Sequence, residues 1–210
     1  MKTLGTITGE GFLCPIREDV DGRVFFTADM DIDADGANGQ SGGRPAYMVN
    51  DLGTEALANG GMKMQGGKVV CAHDWARDIV ILGADNQPRV FPGGVIASCT
   101  WYRYPGKAID DPTAYVDSET VPYIVVPPLI IQKTSGIVRG SKCRVTFAGR
   151  SVWGVVADKG PRAKIGEASI AAARAIGIPE SPRRGGRITA DVLYELWPGV
   201  AAPGFTLIRS

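Results

Sequence analysis

The stretch Trp153-Gly154-Val155-Val156-Ala157-Asp158-Lys159-Gly160-Pro161, with Ile165-Gly166-Glu167-Ala168-Ser169 just beyond it, organises the reading of the chain. An apolar, β-branched run ends at a carboxylate, and Gly160-Pro161 then turns the backbone. A second carboxylate follows where an alanine-rich helix is expected to begin. One acid closes a strand and the other opens a helix. Two carboxyl groups flanking one site are the minimum equipment for breaking a glycosidic bond.

Outward from that stretch, strand signals dominate. Ser141 to Phe147 and Val152 to Ala157 read as a hairpin joined through Ala148-Gly149-Arg150. Lys68 to Cys71, Ile79 to Leu82, Gly94 to Tyr102 and Tyr123 to Ile131 are further strand candidates, with Pro127-Pro128 marking an edge or a break. From Ala28 onward Ala28, Met30, Ile32 and Ala34 alternate with Asp29, Asp31, Asp33 and Asp35. That period of two predicts an extended segment with four aspartates on one face. Helix signals are few. One helix is expected from near Gly166 to Ile176, stopped by Gly177, and a short one over Thr189 to Leu196, capped by Thr189 and ended by Pro198-Gly199.

Composition sets limits on class. The 210 residues suit one domain spanning 1–210, and 28 glycines with 14 prolines favour turns and strands over a helical bundle. A net charge of +1 gives no general case for nucleic acid, and no apolar run approaches a membrane span. Met1 to Phe12 lacks the basic-then-apolar pattern of a secretory signal. The four cysteines form no Cys-x-x-Cys pair and read as reduced thiols. With His73 the single histidine, a multi-histidine zinc site is excluded.

Placed in the first turn of a helix, Glu167 is expected to stay ionised through the helix dipole and to suit a base. Asp158, beside Val155-Val156, is expected to be desolvated and to keep its proton longer. An acid and a base pushed apart in this way are what an inverting hydrolase uses. The plainer alternative is a helix cap and a turn stabiliser.

The segment Ala157-Asp158-Lys159-Gly160-Pro161 through Gly166-Glu167-Ala168-Ser169-Ile170-Ala171 resembles the active-site region of glycoside hydrolase family 75, the fungal-type chitosanases. Asp29-Met30-Asp31-Ile32-Asp33-Ala34-Asp35-Gly36 resembles that family's acidic segment, and Pro122 to Val126 and Tyr194-Glu195-Leu196-Trp197-Pro198-Gly199 also fit its pattern. The resemblance implies inverting endo-hydrolysis of β-1,4-linked glucosamine polymer by Asp158 and Glu167, with no metal and no cofactor. The Asp-x-Gly-Pro turn is also similar to rare lipoprotein A-like domains, implying a mainly β, single-domain, double-psi β-barrel with insertions. The partner expected is thus a polysaccharide, cleaved by a monomer outside the cell.

Asp29, Asp31 and Asp33 are candidate contacts for the ammonium groups of such a polymer. A calcium loop starting at Asp31 fails, because its twelfth position is Gly42 rather than glutamate. Trp101 and Tyr102 are candidate stacking surfaces for sugar rings, the alternative being core packing. Lys159, Arg162, Lys164, Arg174, Arg183, Arg184 and Arg187 fit a polycationic substrate poorly. They leave cleavage of peptidoglycan, and non-catalytic glycan binding by a barrel, as competing readings.

Overall fold

In the computed structural model, which describes residues 1–9 and 11–209, an antiparallel pair, β1 (Lys2–Thr8) and β2 (Leu13–Glu18), leads into β3 (Val24–Asp33). Short strands β4 (Tyr47–Met48), β5 (Met62–Gln65), β6 (Lys68–Cys71), β7 (Val90–Phe91) and β8 (Val95–Ile96) follow, with helix α1 (Ala76–Ile79) among them. Next come β9 (Tyr123–Val126), α2 (Pro128–Lys133), the hairpin β10 (Ser141–Phe147) and β11 (Arg150–Lys159), β12 (Glu167–Ser169), α3 (Ile170–Ile176) and β13 (Arg187–Ala201).

Strands β3, β12, β9, β11, β10 and β13 hydrogen-bond in that order, and β13 returns to β3 to close a six-strand barrel. Two of its contacts, β12 with β3 and β9 with β11, are parallel, and the others are antiparallel. The mainly β, single-domain barrel expected from the sequence is therefore the fold.

Alternation builds the interior. Val24, Phe26, Ala28, Met30 and Ile32 of β3 are buried, and they meet Ile124 and Val126 of β9, Val156 of β11, and Val192, Tyr194 and Leu196 of β13. Phe26 stacks on Tyr194 with ring centroids 4.9 Å apart. A second layer covers the outside of β9 and β11, where Tyr123, Val125, Val155 and Ala157 pack against Tyr102 and Val116. In the β10–β11 turn, Ala148 (φ 47°) and Gly149 (φ 79°) take the left-handed geometry that two-residue hairpins require.

Several local expectations give way to tertiary context. Thr189 to Leu196 is strand, not helix. Val192, Tyr194 and Leu196 must face the barrel interior together, and both edges of β13 find hydrogen-bonding partners. Pro198-Gly199 does not end it. Pro127-Pro128 is a break, where β9 stops and α2 begins. Ile79 to Leu82 and Gly94 to Tyr102 contribute only β8 and isolated bridges. The four cysteines are free thiols. Among the described residues no helix is long and apolar enough to cross a membrane.

Candidate functional site

Strand register assembles the acids. On β11, Asp158 pairs with Val125 of β9, and on β12 Glu167 pairs with the same Val125 from the opposite edge. Asp31 of β3 then pairs with Glu167. Asp158, Val125, Glu167 and Asp31 thus form one rung across four strands. Directly paired residues share a face of a sheet, so all four side chains stand on the outer wall of the barrel.

Simple alternation from Val156, whose side chain faces inward, would send Asp158 inward too. The register slips between Val156 and Asp158, inserting Ala157 as a β-bulge. A bulge re-aims the residues beyond it, and Asp158 comes out beside Val125. Its Oδ1 accepts the backbone N–H groups of Lys159 (2.6 Å) and Trp101 (3.1 Å).

Glu167 is not in the first turn of a helix. Ser169 caps α3, accepting the Ala172 N–H at 3.1 Å, so helical geometry begins three residues after Glu167 and the dipole argument lapses. An ion pair holds the carboxylate instead. Lys164 Nζ lies 2.6 Å from Glu167 Oε1 and 3.1 Å from Asp31 Oδ2. Gly166 (φ 92°) allows the bend before β12, and a Cβ there would stand 2.3 Å from Asp29 Oδ1.

Asp33, Asp35 and Asp158 each bring one carboxyl oxygen within 4.8 Å of the other two. That is near enough for one cation to touch all three, or for the charge of one to oppose ionisation of the others. Burial, reinforced by the charge of Glu167, pushes the Asp33 carboxyl up to about 7. Burial and then Asp33 raise both Asp35 and Asp158 well above the usual carboxylate range. The expected desolvation of Asp158 is thus present, but neighbouring carboxyls add to it.

The other candidates separate. Asp31 is exposed and Asp33 partly buried on the same face of β3, whereas Asp29 lies half-buried against Gly166. Asp35 does not continue that face. The strand has ended, and a turn through Gly36 (φ 78°) tucks it under Tyr123, whose hydroxyl donates to the Asp35 carbonyl at 2.9 Å. Tyr102 is 1% exposed and enclosed by Tyr104 and Phe205, so its ring offers no face to a sugar. Trp101 contributes its backbone N–H to Asp158, and Arg139 covers its ring at 5.3 Å.

Sequence reasoning passed over two groups at this site. Lys164 reads in the sequence only as one of the cations that fit a polycation poorly. Asp35 belongs to the acidic run, but nothing in its spacing sets it apart. The basic flank is largely neutralised: Lys164, Arg174, Arg183 and Arg187 all pair with carboxylates. Lys159, Arg162 and Arg184 are exposed and have no partner among the described ion pairs. A concavity of about 380 Å³ opens beside Ile170, and Asp51, Glu119 and Glu180 line it with Arg44 and Arg183. It does not include Asp158 or Glu167, which are partly buried on the outer wall.

The family model described as fungal chitosanase of glycosyl hydrolase group 75 matches residues 30–206, a span that contains the whole rung of acids. No curated protein matches the chain in a sequence search.

Proposed function

Because the chain belongs to the group 75 glycosyl hydrolases, and is a glycoside hydrolase of the chitosanase kind acting on polysaccharide, we propose that it hydrolyses β-1,4-linked glucosamine polymer with inversion. In this reading Asp158 is the proton donor and Glu167 the base. The observation that carries it is the pairing of both residues with Val125 from opposite sides. Two strand spacings separate their backbones by about 10 Å. That suits carboxyls standing roughly 6.5–9.5 Å apart with a water between them, as inversion requires.

The local bonds suit these roles. Both backbone donors reach Asp158 Oδ1, leaving Oδ2 to carry the transferable proton. Glu167 Oε1 is held by Lys164, while Oε2 faces Gly160, where the missing side chain leaves room for a water. Asp158 protonates the glycosidic oxygen as the bond breaks. Glu167 takes a proton from the water attacking the opposite face of the sugar.

Substrate choice follows from charge. Asp31 and Glu167 already hold one primary ammonium, that of Lys164, and the amine of glucosamine offers the same chemistry. Asp31, with Asp33 beside it, is our assignment for the ammonium contact. Pairing of most of the basic flank removes the repulsion that would disfavour a polycation. The exposed Lys159, Arg162 and Arg184 favour peptidoglycan as the competing substrate. The enzyme works as a monomer outside the cell, where such polymers are found.

Reducing-end release from chitosan, chitin and peptidoglycan tests the proposal, with NMR of the first product anomer. Chitosan should be cleaved fastest and the α-anomer should appear first. Asp158→Asn and Glu167→Gln should each lose about 10²–10⁴-fold. Wild-type rates in both variants would refute the pair, and a first-formed β-anomer would refute inversion.

A further inference from the structure

Asp35 has no part in the mechanism above, yet it is buried beside it, at 9% exposure. Its Oδ1 is sealed from solvent and accepts no hydrogen bond. Its backbone is pinned: the Asp35 N–H donates to Asp33 Oδ1 at 2.9 Å, and the Gly36 N–H donates to Ser98 Oγ at 2.9 Å. A side chain on Gly36 would strike the Val116 carbonyl at 2.0 Å, so the turn that places Asp35 has little freedom.

The groups facing Asp35 come from every neighbouring element. Asp33 lies on β3, Asp158 on β11, Glu167 on β12 and Glu55 in the loop after β4, while Tyr47, Tyr123 and Cys99 face it from β4, β9 and the segment after β8. Two cations act on this group: Lys164, whose field reaches Asp33 and Glu55 and whose ammonium is held by Glu167 and Asp31, and Arg183, whose field reaches Glu55. An oxygen of Asp35 lies within 4.8 Å of an oxygen of Asp158. Two carboxylates that close and that desolvated oppose each other's ionisation near neutrality.

We propose that Asp35 is a positioning residue that holds one proton in common with Asp158, keeping the donor loaded while Glu167 is ionised. This rests on Asp158 being the donor. In the reaction the shared proton passes from Asp158 to the glycosidic oxygen as the C–O bond breaks. The pair is then left doubly ionised. The proton that Glu167 takes from the attacking water leaves through solvent, and one solvent proton reloads the pair, so the count closes. Mutual repulsion of the two anions drives the reloading.

The test is the pH profile of kcat/KM on a short, soluble glucosamine oligomer, taken as the ratio of Asp35→Asn to wild type at each pH. The ratio cancels titration of the substrate. Removing one negative charge should let Asp158 ionise earlier, so the alkaline limb of Asp35→Asn should fall at least tenfold sooner in proton concentration. An unmoved limb in a folded Asp35→Asn protein, with Asp158→Asn inactive, overturns this inference alone. A fully active Asp158→Asn overturns the donor assignment and this inference with it. Should Asp35→Asn fail to fold, ¹³C-aspartate carboxyl titration of the wild type decides. Two coupled steps support the shared proton, and a single independent step for Asp158 refutes it. Loss of activity on dialysis against a chelator, restored by calcium, would mean that the trio holds a cation and would also refute it.

Discussion

Glu195 sits in the Tyr194-Glu195-Leu196-Trp197 run and is 1% exposed, so it is the acid most easily mistaken for part of the chemistry. The structure gives it a different task. It lies on β13 opposite Phe25 of β3 and Arg144 of β10. Arg144 grips it with two bonds, Nε to Oε2 at 2.6 Å and Nη2 to Oε1 at 2.9 Å, and Arg23 Nη1 donates to Oε1 as well. Glu195→Gln keeps the volume, removes the charge and turns an amide toward two guanidinium groups. Breaking a buried ion pair from one side costs about 3–5 kcal/mol. Here both arginine side chains are about a third exposed, at 34% and 33%, and can rehydrate. The cost should therefore sit below that range, at about 2–3 kcal/mol. For a chain of this length that lowers Tm by about 5–10 °C. Calorimetry gives the Tm, and chitosan hydrolysis well below both melting points gives the activity, which should match wild type. A loss of more than about tenfold in rate with Tm unchanged would place Glu195 in the chemistry and refute the structural reading.

Gly160 tests the proposed role of Glu167 in a different way. A Cβ there would stand 3.2 Å from both Glu167 Oε2 and Val125 Cγ1. Gly160→Ala should therefore displace the carboxylate and cut kcat by about 10²-fold while costing about 1 kcal/mol of stability. Gly154→Ala, whose Cβ would meet the Pro122 carbonyl at 2.5 Å, should instead fail in thermal melts, because backbone cannot yield. Equal activity losses at equal Tm in the two variants would contradict this division. Stability should also depend on pH in an unusual direction. Burial raises Asp33 to about 7 and moves Asp35 and Asp158 the same way, so the folded state binds more protons than the unfolded one above the ordinary aspartate range. The stability these groups contribute is present below about pH 4 and is lost as pH rises toward about 7. Asp19, Asp111 and Asp191, lowered by their partners, act only below that window. Tm should thus be higher at pH 4.5 than at pH 7.5 at constant ionic strength, and Asp33→Asn should flatten the difference. A rise in Tm over that interval would overturn the argument.

Local pattern made much of the fold legible. Alternation from Val24 to Asp33 is a property of neighbouring residues, and it placed the longest acidic strand with its hydrophobic face inward. The hairpin of β10 and β11 was legible for the same reason, because its turn chemistry lies within two residues. Thr189 to Leu196 misled because a good cap residue before mixed apolar positions satisfies a short helix and a strand alike. The barrel decided between them by pairing both edges of β13. Tyr102 misled in a similar way, since an aromatic before Pro105-Gly106 looks like a rim residue until a second layer of loops closes over it.

By itself, the sequence determined a turn-rich β chain, the identity of Asp158 and Glu167 as the pair to consider, and the acidic face of Asp31 and Asp33. Only the tertiary structure decided how those acids meet. The bulge at Ala157, the pairing of both acids with Val125, the lysine clamped on Glu167 and the burial of Asp35 all depend on register between strands far apart in sequence. Periodicity is written in adjacent residues, whereas register and desolvation are set by the closed barrel, and these two quantities govern where each proton resides.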